Sequence, residues 1–196
     1  VRLSRGLGDV YKRQIIDSST SSQYISSLLL IAPKISGGLK IQLTGRETSK
    51  LYIDMTISLL KKIGVEITKT ENKISVCELQ KIESKKHHIE SDWSSASYFY
   101  SVVALAKIGF SLKLSKFYFK SLQGDSKVAD IYKSFGVKTT YLDDLVILKK
   151  IESNTEKFSF DLISNPDLAQ TICVTCLGLG IKSVSYTHLR AHETTE

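Results

Sequence analysis

Three short stretches of this 196-residue chain place hydroxyls, an amide and a carboxylate where helices begin. Ser21-Ser22-Gln23 opens one apolar-periodic segment. Ser49-Lys50 opens a second, with Tyr52 one turn along, and Asp167 follows Asn165-Pro166 at the start of a third. A helix N-terminus leaves about four backbone N–H groups without intrahelical partners and carries a partial positive charge. Such groups cradle phosphate, and serine hydroxyls add donors without the bulk of an arginine. The same serines also suit ordinary N-capping. Asp167 likewise has two readings: a carboxylate that stabilises the helix dipole, or an ionised general base at a domain cleft. In both, the dipole favours the charged form.

The elements that must hold these groups alternate between helix and strand patterns. Residues 21–32 carry two overlapping helical stripes, Tyr24/Leu28/Ile31 and Ile25/Leu29/Ala32, stopped at Pro33. Residues 40–44 read as a strand ending at Gly45. Residues 49–63 read as a helix with Tyr52, Met55, Leu59 and Ile63 on one face, closed by Gly64 in a left-handed cap. Residues 65–69 and 73–76 form a hairpin. The order then returns. Residues 94–107 are a helix with Tyr98, Val102 and Leu105 in register, and Phe110, Leu112 and Leu114 alternate as a strand. Residues 127–135 are a helix with Val128, Ile131, Tyr132 and Phe135 inward, capped by Gly136. A second hairpin turns at Asp143-Asp144. Ser21 and Ser94 are 73 apart, as are Ser94 and Asp167, while Gly64 and Gly136 are 72 apart. A fixed period means one supersecondary unit reused, here β-α-β-α-β-β, so an α/β fold with helix-faced sheets is expected. The third helix would turn Leu168, Ile172, Cys176 and Leu179 inward, with Asn165 as its cap and Pro166 at its first position.

The remaining candidates have plainer readings. Cys173 and Cys176 form a Cys-x-x-Cys pair with no second ligand pair at zinc spacing, and read as small core residues. Only three cysteines, an odd number, argue for a reducing, cytoplasmic setting. The serine-rich start Asp92–Ser97 suits close helix packing, with Trp93 a packing residue; Asp125 reads as structural. The net charge of +7 is swollen by Arg2, Arg5, Lys12 and Arg13 near one end, and the other lysines are scattered. No apolar run approaches the ~18 residues that span a bilayer. Residues 1–14 and 183–196 lack periodicity and read as non-native flanks resembling translated sequencing adapter, so little weight falls on the i,i+4 pair His188 and His192.

Five stretches in order resemble the EPSP synthase (3-phosphoshikimate 1-carboxyvinyltransferase) family of enolpyruvyl transferases. They are residues 19–33, Thr48–Thr56, Glu90–Phe99, Leu122–Asp125 and Pro166–Thr171. Leu51 stands where the family usually has proline, and Tyr24 where phenylalanine is common. The resemblance implies two domains, each of three such units: 15–122 as part of a first, shikimate-phosphate-binding domain, and 123–182 as part of a second. It implies transfer of an enolpyruvyl group from phosphoenolpyruvate to the 5-hydroxyl of shikimate 3-phosphate, with no cofactor and no metal. By this resemblance Ser21, Ser22 and Ser49 hold the 3-phosphate, Gln23 reaches both substrates, Tyr52 lines the shikimate pocket and Asp167 is the general base. The family's phosphoenolpyruvate-clamping basic residues have no counterpart here, so the chain is expected to be an internal, inactive piece of an enzyme that is monomeric at full length. Two rivals stand beside this. One is the related UDP-N-acetylglucosamine enolpyruvyl transferase. The other is a basic RNA-binding repeat using tyrosines such as Tyr118 and Tyr141, against which stands the lack of an arginine-rich signature, Arg46 being the only arginine in 15–182.

Overall fold

The computed structural model describes residues 13–17, 22–45, 50–79, 81, 86, 88–153, 158–160, 162, 164–181 and 184–185. Two compact units divide between His87 and His88. In the first, strand β1 (Arg13–Asp17) precedes helix α1 (Ser22–Ile31), followed by β2 (Leu39–Thr44), α2 (Lys50–Lys62), β3 (Ile67–Lys69) and β4 (Lys73–Val76). The sheet order is β1-β2-β4-β3, with β1 parallel to β2 and the other neighbours antiparallel. Leu39, Ile41 and Leu43 alternate inward along β2, the period of a strand with one face on a core.

The second unit repeats the plan. It runs α3 (Trp93–Leu105), β5 (Ser111–Ser115), α4 (Val128–Ile131, flanked by 3-10 turns), β6 (Val137–Leu142) and β7 (Leu145–Lys150). Its sheet order β5-β7-β6 matches β2-β4-β3 position for position. A third copy begins with β8 (Phe158–Ser159), the 3-10 turn Pro166–Leu168, α5 (Ala169–Gly178) and β9 (Val184–Ser185). The pair β8–β9 is parallel, as is β1–β2. The mixed α/β class and the repeat are as expected from the sequence. The compact units follow the repeat. β1 draws Arg13 and Gln14 from one flank, and β9 draws Val184 and Ser185 from the other.

The helix faces need correction. α1 buries Ile25, Leu29 and Ala32, while Tyr24 and Ile31 are exposed. α2 buries Ile53, Thr56, Ile57 and Leu60, leaving Leu59 exposed and Tyr52 and Met55 half-buried. α3 buries Trp93, Ala96, Ser97, Tyr100, Val103 and Ala104, so Tyr98, Val102 and Leu105 point outward. The cause is that α1 and α3 are apolar on two sides. Periodicity then offers two stripes and cannot choose between them. The segment 127–135 behaves as expected: Val128, Ile131, Tyr132 and Phe135 are all buried. Gly136 closes it at φ 74°, where a side chain would also collide with the Glu152 carbonyl.

Candidate functional site

The first unit positions its two helix starts through its parallel strands. Asp17 at the end of β1 is in register with Thr44 at the end of β2. The chain therefore leaves both strands at one edge of the sheet and re-enters as α1 and α2. This is the carboxyl edge of adjacent parallel strands, where ligands of α/β sheets gather. Ser21 and Ser49 lie outside the described residues, and Ser22 is placed by its backbone alone, as the first residue of α1. Gln23 is exposed in the first turn, its carbonyl accepting from Ser27 Oγ at 2.8 Å. Tyr52 is half-buried in the first turn of α2, where its carbonyl accepts from Thr56 Oγ1 at 2.9 Å. Thr56 Oγ1 also reaches Ser26 Oγ at 3.4 Å, tying α2 to α1. An open cleft of about 630 Å³ adjoins the start of α2, lined by Gly45, Lys50, Asp54, Lys69, Thr70 and Glu71. Lys69 and Asp54 are ion-paired across it at 2.8 Å. Neither Gln23 nor Tyr52 lines this cleft, and sequence reasoning had not singled out Asp54 or Lys69.

Asp167 belongs to the second unit. It stands exposed in the Pro166–Leu168 turn, between buried Asn165 and buried Leu168 and Ala169. Asn165 occupies the cap position, but its side chain caps nothing. Instead Asn165 Nδ2 donates to Asp125 Oδ1 at 2.9 Å. This corrects the capping role read from Asn165-Pro166. Asp125 is 2% exposed and also accepts from Ser94 Oγ at 2.5 Å, so the Gln-Gly-Asp stretch grips two helix starts at once. The neighbouring Gln123 accepts from the Trp93 backbone N–H at 2.8 Å and donates to the Ser91 carbonyl at 2.8 Å.

The start of α3 is closed by its own residues. The Asp92 carboxylate accepts from the backbone N–H groups of Ser94 and Ser95, and from Ser95 Oγ. Partial burial works to raise the Asp92 pKa, yet the hydrogen bonds from Ser95 and Ser94 take it below its ordinary value. Trp93 is fully buried, edge-on to Phe117 at 4.8 Å, with Nε1 donating to Glu90 at 2.8 Å. The packing reading of this stretch therefore holds. Tyr141, named in the RNA-binding rival, is half-buried with its ring edge-on to Phe119 at 5.2 Å. Cys176 is buried, but Cys173 is exposed, correcting the expectation that both are core residues. Among the described residues no three His, Cys, Asp or Glu side chains cluster as a metal site. His188 and His192 lie outside the described residues, and no helix among the described residues is long and apolar enough to cross a membrane.

A sequence profile of EPSP synthase (3-phosphoshikimate 1-carboxyvinyltransferase) matches residues 5–194. The chain belongs to the EPSP synthase family. A relative from Bacteroides fragilis strain YCH46, named 3-phosphoshikimate 1-carboxyvinyltransferase, is 37% identical over 166 residues, covering 85% of this chain and 40% of the relative. Relatives of the same name from Cronobacter sakazakii and Buchnera aphidicola (from Schizaphis graminum) are 35% and 36% identical, over 83% of this chain and 37% and 38% of theirs. The chain thus spans about two-fifths of the length of these EPSP synthase relatives. Among solved structures, the enolpyruvyl transferase NikO from Streptomyces tendae aligns at 14% identity with a TM-score of 0.24, over 84% of this chain and 36% of NikO.

Proposed function

We propose that this chain is the stretch of an EPSP synthase that grips shikimate 3-phosphate and supplies the base for enolpyruvyl transfer from phosphoenolpyruvate. The observation that carries this reading is the family match across nearly the whole chain, with relatives named for that reaction. The geometry of each unit supports it. Adjacent parallel strands end in register at Asp17 and Thr44, shortly before α1 and α2; in this proposal Ser21, Ser22 and Ser49 donate to one phosphate alongside backbone N–H groups. Gln23 then reaches toward the reacting centre and Tyr52 lines the sugar pocket. Asp167, exposed on a turn pinned by buried neighbours, accepts the proton of the 5-hydroxyl as its oxygen adds to phosphoenolpyruvate. That addition to C2 is completed by a proton entering C3, and the tetrahedral intermediate then expels phosphate from C2 as a proton leaves C3, restoring the double bond in the transferred enolpyruvyl group. In this proposal the groups that clamp phosphoenolpyruvate lie elsewhere in a longer, two-domain enzyme, monomeric and cytoplasmic, working without a cofactor.

The test uses a full-length enzyme carrying this stretch, either cloned whole or rebuilt by replacing the matched stretch of the Bacteroides fragilis relative. Asp167→Asn is expected to lower kcat by about 10²–10⁴-fold, the usual contribution of a general base. Ser49→Ala is expected to raise KM for shikimate 3-phosphate while leaving that for phosphoenolpyruvate nearly unchanged. An Asp167→Asn enzyme turning over within twofold of the parent would sink the assignment.

A further inference from the structure

Outside the groups assigned above, the second unit contains a chain of buried polar contacts that ends at the turn bearing Asp167. Asn165 is 1% exposed and is fixed by three bonds. Its N–H donates to the Leu162 carbonyl at 3.0 Å, its own carbonyl accepts from the Leu168 N–H at 3.2 Å, and its side-chain amide donates to Asp125 at 2.9 Å. The first two bonds are local and would travel with the turn. The third ties the turn to a segment forty residues away in sequence, beside the packing of Leu168 in the core. Asp125 is fixed in its turn by Ser94 Oγ in the first turn of α3. Its segment is held by Gln123, bonded to the Trp93 N–H and the Ser91 carbonyl. A buried carboxylate is costly unless its acceptor sites are filled, and a hydrogen bond to an ionised acceptor is shorter and stronger than a neutral one. Asp125 is therefore an expensive side chain to keep in the core, and its two named partners both lie at helix starts.

We infer that Asp125 is a positioning residue. Through Asn165 it sets the place of the Asp167 carboxylate relative to α3, and so the alignment of the base with the hydroxyl it deprotonates. This rests on the reading of Asp167 as general base. A misplacement of the order of 1 Å at a reacting group costs on the order of 100-fold in rate, so loss of the anchor falls on turnover and not on substrate affinity.

The experiment is a double-mutant comparison in the same full-length enzyme. Asp125→Ala removes the side-chain bonds to Asn165 and Ser94. Asp125→Asn keeps a carbonyl oxygen for Asn165 and reverses the bond to Ser94, so it serves if the alanine variant does not fold. The expected result for Asp125→Ala is a fall in kcat on the order of 10- to 100-fold, both KM values within about twofold, and near-rescue by Asp125→Asn. In an Asp167→Asn background the same substitution is expected to lower kcat no further, although it lowers the melting temperature equally in both backgrounds. An unchanged kcat for folded Asp125→Ala, or an equal fall in both backgrounds, overturns the inference and leaves Asp125 with a purely structural role. An unchanged kcat for Asp167→Asn instead overturns the reading of the base, and this inference with it.

Discussion

The first two repeats share the order of three sheet strands, β2-β4-β3 and β5-β7-β6, and differ in what packs against them. Among the described residues the buried core of the first is aliphatic, built from residues such as Ile25, Leu29, Ile53 and Ile74. The core of the second holds Trp93, Tyr100, Phe117, Tyr132 and Phe135. The phenol of Tyr132 lies 2.8 Å from Ser101 Oγ and 2.9 Å from Thr175 Oγ1, and that of Tyr100 is 2.9 Å from Thr139 Oγ1. Burial raises the pKa of both tyrosines, keeping them neutral. The helix starts differ in the same sense. α3 spends its first N–H groups on Asp92. The first turn of α1 contains no acidic residue, and neither does the run Ser18-Ser19-Thr20-Ser21 before it. Two serine-rich starts that look alike in sequence are therefore unlike in chemistry. One is closed by its own carboxylate, and the other has no acidic residue in its first turn.

The comparison breaks most readily at the largest side chain. Trp93→Ala is expected to cost the second unit about 3–5 kcal/mol, with amide exchange in β2 and β4 unchanged. Equal loss of protection in both units would make them one cooperative block. Leu29→Ala is the mirror experiment, costing the first unit about 2–5 kcal/mol and sparing β6 and β7. Tyr132→Phe strips the hydroxyl from Ser101 and Thr175 at a cost of about 1–3 kcal/mol by chemical denaturation; no loss would mean that the polar core is incidental. Asp92→Ala should cost about 1 kcal/mol as a lost cap. Because the folded Asp92 pKa is depressed, its contribution is present above the ordinary carboxylate range and fades as pH falls through the folded value. The alanine variant should accordingly show a shallower loss of stability in acid. Thiol labelling perturbs stability least. At pH 8, Cys77 and Cys173 should react readily, and Cys176, buried with its thiol pushed up to about 11, only when the second unit opens. Fast reaction of all three thiols would contradict that burial.

The sequence made the order of elements legible because turn and cap signals are local. Pro33 follows the end of the α-helix inside a short 3-10 turn, Ala32–Lys34, while Gly64 and Gly136 close their segments at positive φ. Helix facing was less legible, since α1 and α3 carry enough apolar residues for two stripes. The buried face of α3 sets the large Trp93 and Tyr100 among the small Ala96, Ser97 and Ala104, while Tyr98 and Val102 stay exposed. Of the candidate site, the residue types at the helix starts could be read, since their chemistry is written in consecutive letters. The Asp125–Asn165 bond could not, because it joins residues forty apart and Asn165-Pro166 imitates a self-sufficient cap. Lys150 was hidden for a similar reason. It occupies an inward position of β7, and its ammonium donates to the Phe135 carbonyl at 2.7 Å, where desolvation lowers its pKa.

The doubly apolar character of α3 also governs how substitutions there should be tolerated. Residues on its sheet-facing side answer to a fixed volume, so even a methylene at Val103 is felt. Val102, Tyr98 and Phe99 answer to no core of their own unit. An aspartate at Val102 would leave the second unit's fold intact in isolation and do its harm only where another surface presses on that helix. For this segment, stability measured on the isolated chain and fitness measured in a cell would rank the same set of mutations differently.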